Sequence, residues 1–142
     1  MTPPLAVIDT NVIVSGLITS ERASPTATIL DGMLGGRFTY FLSLDLLAEY
    51  RAVLLRPAIR RRHGLTEAEV DVILTELALN GTVHEPASSG EALADVGDRH
   101  LWALLESIAS AVLVTGDDVL RRHAPDPARV LSPHAFVARL AG

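Results

Sequence analysis

Leu5-Ala6-Val7-Ile8-Asp9-Thr10-Asn11 is a four-residue apolar run that stops on a carboxylate. A short run without polar alternation is what a strand buried on both faces looks like. Asp, Thr and Asn are helix-capping residues, so this stretch predicts a buried strand turning directly into a helix. Ala111-Val112-Leu113-Val114-Thr115-Gly116-Asp117 repeats the pattern, with a short helix expected over Asp118 to Arg122. Gly116 permits a sharp turn between strand and acid.

Working outward, helix and strand signals alternate. Ser24-Pro25 reads as N-cap plus first helical residue, opening a helix to about Leu34 that Gly35-Gly36 closes. Phe38 to Leu42 predicts a second strand, and Ser43 caps a helix to about Leu55 that Pro57 interrupts. Thr66-Glu67-Ala68-Glu69 has the form of a capping box for a helix to Leu79, stopped by Asn80-Gly81. Thr82 to His84 is a short strand candidate. Glu85 to Asp95 reads as the longest loop, and a helix follows Gly97-Asp98 to about Ala109. Arg129 to Leu131 is a fifth strand candidate, and Ser132-Pro133 opens a terminal helix. The expected fold is α/β: a three-layer α/β/α sandwich around a central, mainly parallel sheet of about five strands. At 142 residues, without repeats or a linker-like tract, residues 1–142 read as a single domain.

Composition limits the chemistry. Hydrophobic residues make up 49% of the chain and charged residues 20%, a globular balance. The absence of cysteine excludes disulfides, thiolate zinc sites and cysteine nucleophiles, and fits a reducing cytoplasm. All 12 basic residues are Arg, so Schiff-base chemistry and a P-loop lysine are excluded. The N-terminus lacks the basic lead of a signal peptide. No apolar stretch approaches the roughly 20 residues that span a bilayer, so no membrane role is expected. The net charge of −5 means that any nucleic-acid role rests on a local basic patch or on a metal that inverts the sign of an acidic site.

The acids are the candidate chemistry. Asp9 and Asp117 follow predicted strands, and Asp98 precedes a predicted helix; each is also an ordinary capping position. Glu49 lies inside a helix and shares a face with Asp45, on an otherwise apolar helix; that edge faces either a cleft or water. Carboxylates gathered at strand ends repel and raise one another's pKa, a conflict that a divalent cation removes. Oxygen ligands without Cys or a His cluster favour Mg²⁺ or Mn²⁺. The five histidines, at 63, 84, 100, 123 and 134, show no metal-site spacing and read as ordinary surface or partly buried residues.

Four segments, in order, resemble a known family: Val7-Ile8-Asp9-Thr10-Asn11-Val12; Leu42 through Tyr50, containing Glu49; Gly97-Asp98-Arg99-His100-Leu101; and Val114-Thr115-Gly116-Asp117. Their order and spacing are similar to those of a PIN domain, and nearly the whole chain resembles the bacterial PIN-family toxins of type II toxin–antitoxin pairs. The resemblance implies a metal-dependent ribonuclease in the cytoplasm. By matching positions it implies Asp9, Glu49, Asp98 and Asp117 as the catalytic acids and Thr10, Asn11 and Thr115 as polar support. Asp9, Asp98 and Asp117 become ligands of one or two Mg²⁺ or Mn²⁺ ions, with Glu49 and Asp118 as candidate additional ligands. Two features depart from the subgroup. The run before the third acid, Asp95-Val96-Gly97-Asp98, carries only two acids, and the position two after Asp117 is Val119, with Asp118 adjacent instead. The expected partners are an RNA substrate, a cognate antitoxin and a second copy of the chain. Candidate phosphate contacts are Arg121 and Arg122, close in sequence to Asp117, and Arg60 and Arg61 in the basic stretch Arg56 to His63. The alternative is a degenerate PIN scaffold that binds RNA or protein without cutting. A haloacid-type phosphatase calls for an acid where Asn11 stands, and a receiver domain for a late Lys that this chain lacks.

Overall fold

The computed structural model describes residues 4–86 and 99–142. The elements run β1 (Leu5–Ile8), α1 (Thr10–Ile18), α2 (Pro25–Leu34), β2 (Phe41–Leu42), α3 (Leu44–Leu54), α4 (Pro57–His63), α5 (Glu67–Asn80), β3 (Thr82–Val83), α6 (Arg99–Glu106), β4 (Ala111–Val114), α7 (Asp118–Arg122), β5 (Val130–Leu131) and α8 (Pro133–Ala141). A 3-10 turn, Pro127–Arg129, leads into β5. The predicted loop from Glu85 to Asp95 falls largely outside the described residues.

The local signals act as their chemistry predicts. Ser24, Ser43, Thr66 and Ser132 each accept a backbone N–H of the helix they precede, and Thr66 with Glu69 forms the reciprocal capping box. Pro57 does more than interrupt: it is the first residue of α4, where its missing N–H costs nothing. The second strand is shorter than expected, Phe41–Leu42, with Tyr40 adding a single parallel bridge to Ala6.

β1, β4 and β5 form a parallel sheet in the order β1-β4-β5, and β2 pairs with β3, also parallel. A single Ala6–Tyr40 bridge links the two, so in place of the expected sheet of about five strands there is a three-stranded sheet with a two-stranded one beside it, because the two-residue β2 is too short to pair further with β1. Ala6, Val7 and Ile8 of β1 and all four residues of β4 are buried, so the sheet centre is covered on both faces. This is the expected α/β architecture. The chain leaves β1 toward β2 on one side and later returns to β4 on the other. The topological switch therefore lies between β1 and β4, the place where open α/β sheets bind ligands at the carboxyl ends of strands.

One glycine fixes how α5 meets the sheet. A Cβ on Gly81 would lie 2.4 Å from Cε2 of Tyr40 and 3.0 Å from the Leu77 carbonyl oxygen. The Tyr40 ring is fully buried and its hydroxyl donates to the Leu77 carbonyl at 2.7 Å, so it has no room to yield. Gly81→Ala is expected to lower stability by about 2–3 kcal/mol through overpacking. Urea denaturation checks this, and an unchanged midpoint would show that Tyr40 relaxes freely.

Candidate active site

Asp9 is only 8% exposed and stands at the end of the central strand. An ordinary N-cap side chain accepts from the second or third helical N–H. Asp9 instead accepts from Thr10 N–H, the first, at 2.8 Å through Oδ1. Its Oδ2 accepts from Thr115 Oγ1 at 2.7 Å and from Asn11 Nδ2 at 3.1 Å. Three of about four lone-pair sites are thus used, leaving acceptor capacity for a ligand.

Thr115 and Asn11 lace the two strand ends together. Thr115 Oγ1 also accepts from Asn11 Nδ2 and from Asp117 N–H, each at 3.1 Å. Asn11 Oδ1 accepts from Gly116 N–H at 2.9 Å. A Cβ on Gly116 would sit 3.3 Å from that Asn11 oxygen, so the bare glycine is what lets the two turns approach. The expected support by Asn11 and Thr115 thus takes a definite form: both hold Asp9 and fix the turn that carries Asp117.

Asp117 does cap a helix. Its Oδ1 accepts from Val119 N–H at 3.0 Å and Leu120 N–H at 3.1 Å. Its Oδ2 has no hydrogen-bond partner among the described residues, and the residue lines the same cleft as Asp9. Capping and site membership are compatible, one oxygen serving each.

Glu49 reaches the site from α3. Thr10 Oγ1 donates to its Oε2, and His100 Nε2 lies 3.2 Å from its Oε1. The neighbouring Tyr50 is fully buried and donates its hydroxyl to the Ile8 carbonyl, the last of β1. That contact pins α3 beside the strand end and presents Glu49 next to Thr10. The helix is less enclosed than its apolar composition suggests: it buries Leu46, Tyr50 and Leu54, while Leu44 is exposed.

The two carboxylates are driven apart electrostatically. Burial raises the Asp9 pKa against the opposing effect of its Thr115 and Thr10 hydrogen bonds, and the charges of Glu49 and Asp117 raise it further. The His100 hydrogen bond, helped by Thr10 and by the charges of His100 and Arg56, lowers that of Glu49 against partial burial. His100 rises in return, chiefly through its bond to Glu49.

Asp9, Thr10, Asn11, Glu49 and Asp117 therefore share one cleft of about 680 Å³. Asp98 and Asp95 lie outside the described residues. Asp118 is exposed and pairs with Arg121 on its own helix. Arg122 is exposed, and Arg60 and Arg61 line a separate pocket with Leu55, Pro57 and Leu65. Two basic residues at the site were not singled out from the sequence, His100 beside Glu49 and Arg62 in the cleft wall. His100, read from the sequence as an ordinary surface or partly buried residue, instead meets Glu49 across 51 residues, a contact that no local pattern records. Arg62 lines the cleft, but nothing in the run Arg60-Arg61-Arg62 marks which member turns inward.

Asp9, Glu49 and Asp117 thus form an acid cluster at the switch point of a parallel sheet. A family model for the PIN domain matches residues 6–118. The chain belongs to the PIN domain family, whose fold is of the nuclease type. No curated protein matches it.

Proposed function

We propose that this protein is a Mg²⁺- or Mn²⁺-dependent ribonuclease, acting as the toxin of a toxin–antitoxin pair. The observation that carries the catalytic reading is Asp9, a buried carboxylate at the switch point with unused acceptor capacity and two further acids facing the same cleft. Such an arrangement is unfavourable to hold without a counter-charge.

The donor set fits a hard divalent ion. Among the described residues no three acids or histidines gather as a complete ligand cage. Mg²⁺, however, commonly binds through one or two carboxylates and keeps several waters. Asp9 and Oδ2 of Asp117, which has no partner among the described residues, supply those carboxylates, with Asp98 joining them and Glu49 and Asp118 as further candidates. The ion supplies Lewis acidity toward the phosphate oxygens. Glu49, held at both oxygens and kept ionised, orients and deprotonates the attacking water. The water oxygen bonds to phosphorus as the bond to the 3′ oxygen breaks. Arg121 and Arg122 on α7 offer phosphate contacts beside Asp117, and Arg60 and Arg61 offer more distal ones. An antitoxin covering the acidic cleft silences the enzyme, and the chain works in the cytoplasm as a homodimer.

Calorimetric titration with Mn²⁺ is expected to show saturable binding by the folded protein, with cleavage of RNA that EDTA abolishes. Saturation at about 100 times Kd raises stability by roughly 2.7 kcal/mol. Cleavage persisting in EDTA sinks the metal mechanism. No Mn²⁺ binding at millimolar concentration leaves a binding scaffold instead. Expression in bacteria tests the toxin role: unimpeded growth, with RNA cleavage intact in vitro, removes it.

A further inference from the structure

The cleft has a second half that the acids do not use. Beyond Asp9 and Thr10, its wall is Val14, Ile18 and Thr19 of α1, with Val53 of α3 and Arg62 of α4 opposite. Val14 and Ile18 are four residues apart, as are Glu49 and Val53, so each pair shares one face of its helix. On α3 the same face therefore carries the catalytic acid and then, one turn on, an aliphatic side chain. At about 1.5 Å per residue, Ile18 lies about 12 Å along α1 from Thr10. That is longer than one step of a strand whose stacked bases are about 3.4 Å apart.

Arg62 is the only basic residue lining this cleft among the described residues, and it makes no salt bridge there. Of the other cations, Arg51 pairs with Glu67 and Asp71 and Arg121 with Asp118, while Arg56 acts on Glu49 through its charge without lining the cleft. A cationic group beyond an aliphatic wall suits a phosphate one or more nucleotides from the bond being cut. The wall itself suits the face of an unpaired base. A duplex hides its base faces in the stack and presents sugars and phosphates, for which Val14, Ile18 and Val53 have no use.

We infer that Arg62, with the Val14–Ile18–Val53 wall, forms a subsite for single-stranded RNA, anchoring a phosphate next to the scissile one while the wall takes a base. The subsite deepens the ribonuclease reading and rests on it for the position of the cut. Its own test is binding, which is read without cleavage.

Fluorescence anisotropy of a labelled single-stranded RNA against the Asp9→Asn protein in Mg²⁺ gives the reference affinity and salt dependence. Wild-type protein in EDTA repeats the comparison with the site unmutated. Adding Arg62→Gln is expected to weaken binding about five- to tenfold and to reduce the slope of log K against log salt by about 0.7, one phosphate contact on a single strand. Arg62→Lys keeps the slope. Ile18→Ser weakens binding with the slope unchanged. A duplex of the same sequence binds more weakly and ignores Arg62. Wild-type affinity and slope in Arg62→Gln, equal affinity for the duplex, or no binding of single-stranded RNA by the parent protein overturns the subsite. Failure of the nuclease reading looks different: binding follows this pattern while wild-type protein in Mg²⁺ or Mn²⁺ leaves the RNA intact.

Discussion

Asp9→Asn is expected to lower RNA hydrolysis by about 10³-fold while the protein stays folded. Asn preserves the volume and the acceptor for Thr10 N–H, so the turn from β1 into α1 survives. What it loses is the anion. An amide nitrogen in place of Oδ2 also meets Thr115 Oγ1, which can rotate to accept, and Asn11 Nδ2, which cannot. Stability should therefore move little, because two effects oppose. The donor–donor contact with Asn11 destabilises, and removal of a buried charge stabilises. Because burial raises the folded-state pKa of Asp9 above its unfolded value of 3.8, its contribution to stability is fully present below that value and is lost as pH rises through the folded pKa. At neutral pH the ionised side chain works against folding. As pH falls from about 7 toward about 4, the wild type should gain stability relative to the variant, visible as converging or crossing Tm curves. Asp117→Asn tests the same chemistry from the other strand, since its Oδ1 can still cap α7. Wild-type turnover in both variants would remove the acids from the mechanism.

The parts of this site that were legible in the sequence are those that local rules control. Asp9 and Asp117 could be placed because an uninterrupted apolar run ends immediately before Asp9 and another ends at Val114, with only Thr115 and Gly116 before Asp117, and in a parallel sheet such ends converge. Ser24-Pro25, Ser132-Pro133 and the Thr66–Glu69 box marked helix starts because a cap is a contact within three residues. The Glu49 contacts are of another kind. Its partners Thr10 and His100 are 39 and 51 residues away, so they depend on how α1, α3 and α6 pack rather than on any local pattern. The same holds for the run Arg60-Arg61-Arg62. Successive residues of a helix point about 100° apart, so one of the three can face the cleft while the others do not. Which one does is set by where Pro57 starts the helix and by its packing against α1. The family resemblance pointed to a PIN domain, which the family model matches over residues 6–118, yet it could not supply the electrostatics. That Asp9 is pushed up while Glu49 is held down follows from burial and from His100, neither of which a motif records.

Arg129→Ala is expected to cost about 2–3 kcal/mol and to lower Tm by on the order of 10 °C, with no direct contact to the site involved. The Arg129 guanidinium donates to three backbone carbonyls: Leu105 and Ile108 at 2.7 Å through one nitrogen, and Ala111 at 3.0 Å through Nε. Leu105 belongs to the last turn of α6, Ile108 to the turn that follows, and Ala111 to the first residue of β4. One planar cation thus closes the connection between helix and strand and adds a charged donor to carbonyls at the helix end. The helix dipole favours positive charge at that end, and no acid is bonded to Arg129 among the described residues, so the carbonyls carry its stabilisation. The loss is limited because the Leu105 and Ile108 carbonyls also accept from Ile108 N–H and Ala111 N–H. Arg129→Lys should recover less than half of it, since an ammonium cannot reproduce the fork that reaches all three oxygens. The consequence extends to chemistry through β4. Val114 pairs with Ile8 and Leu131, and Thr115 and Asp117 follow directly, so loosening the start of the strand weakens the register that places two site residues against Asp9. Thermal unfolding followed by circular dichroism, read beside RNA hydrolysis well below Tm, separates the two levels. A Tm within about 2 °C of wild type for Arg129→Ala would show that water replaces the guanidinium and that the connection holds without it.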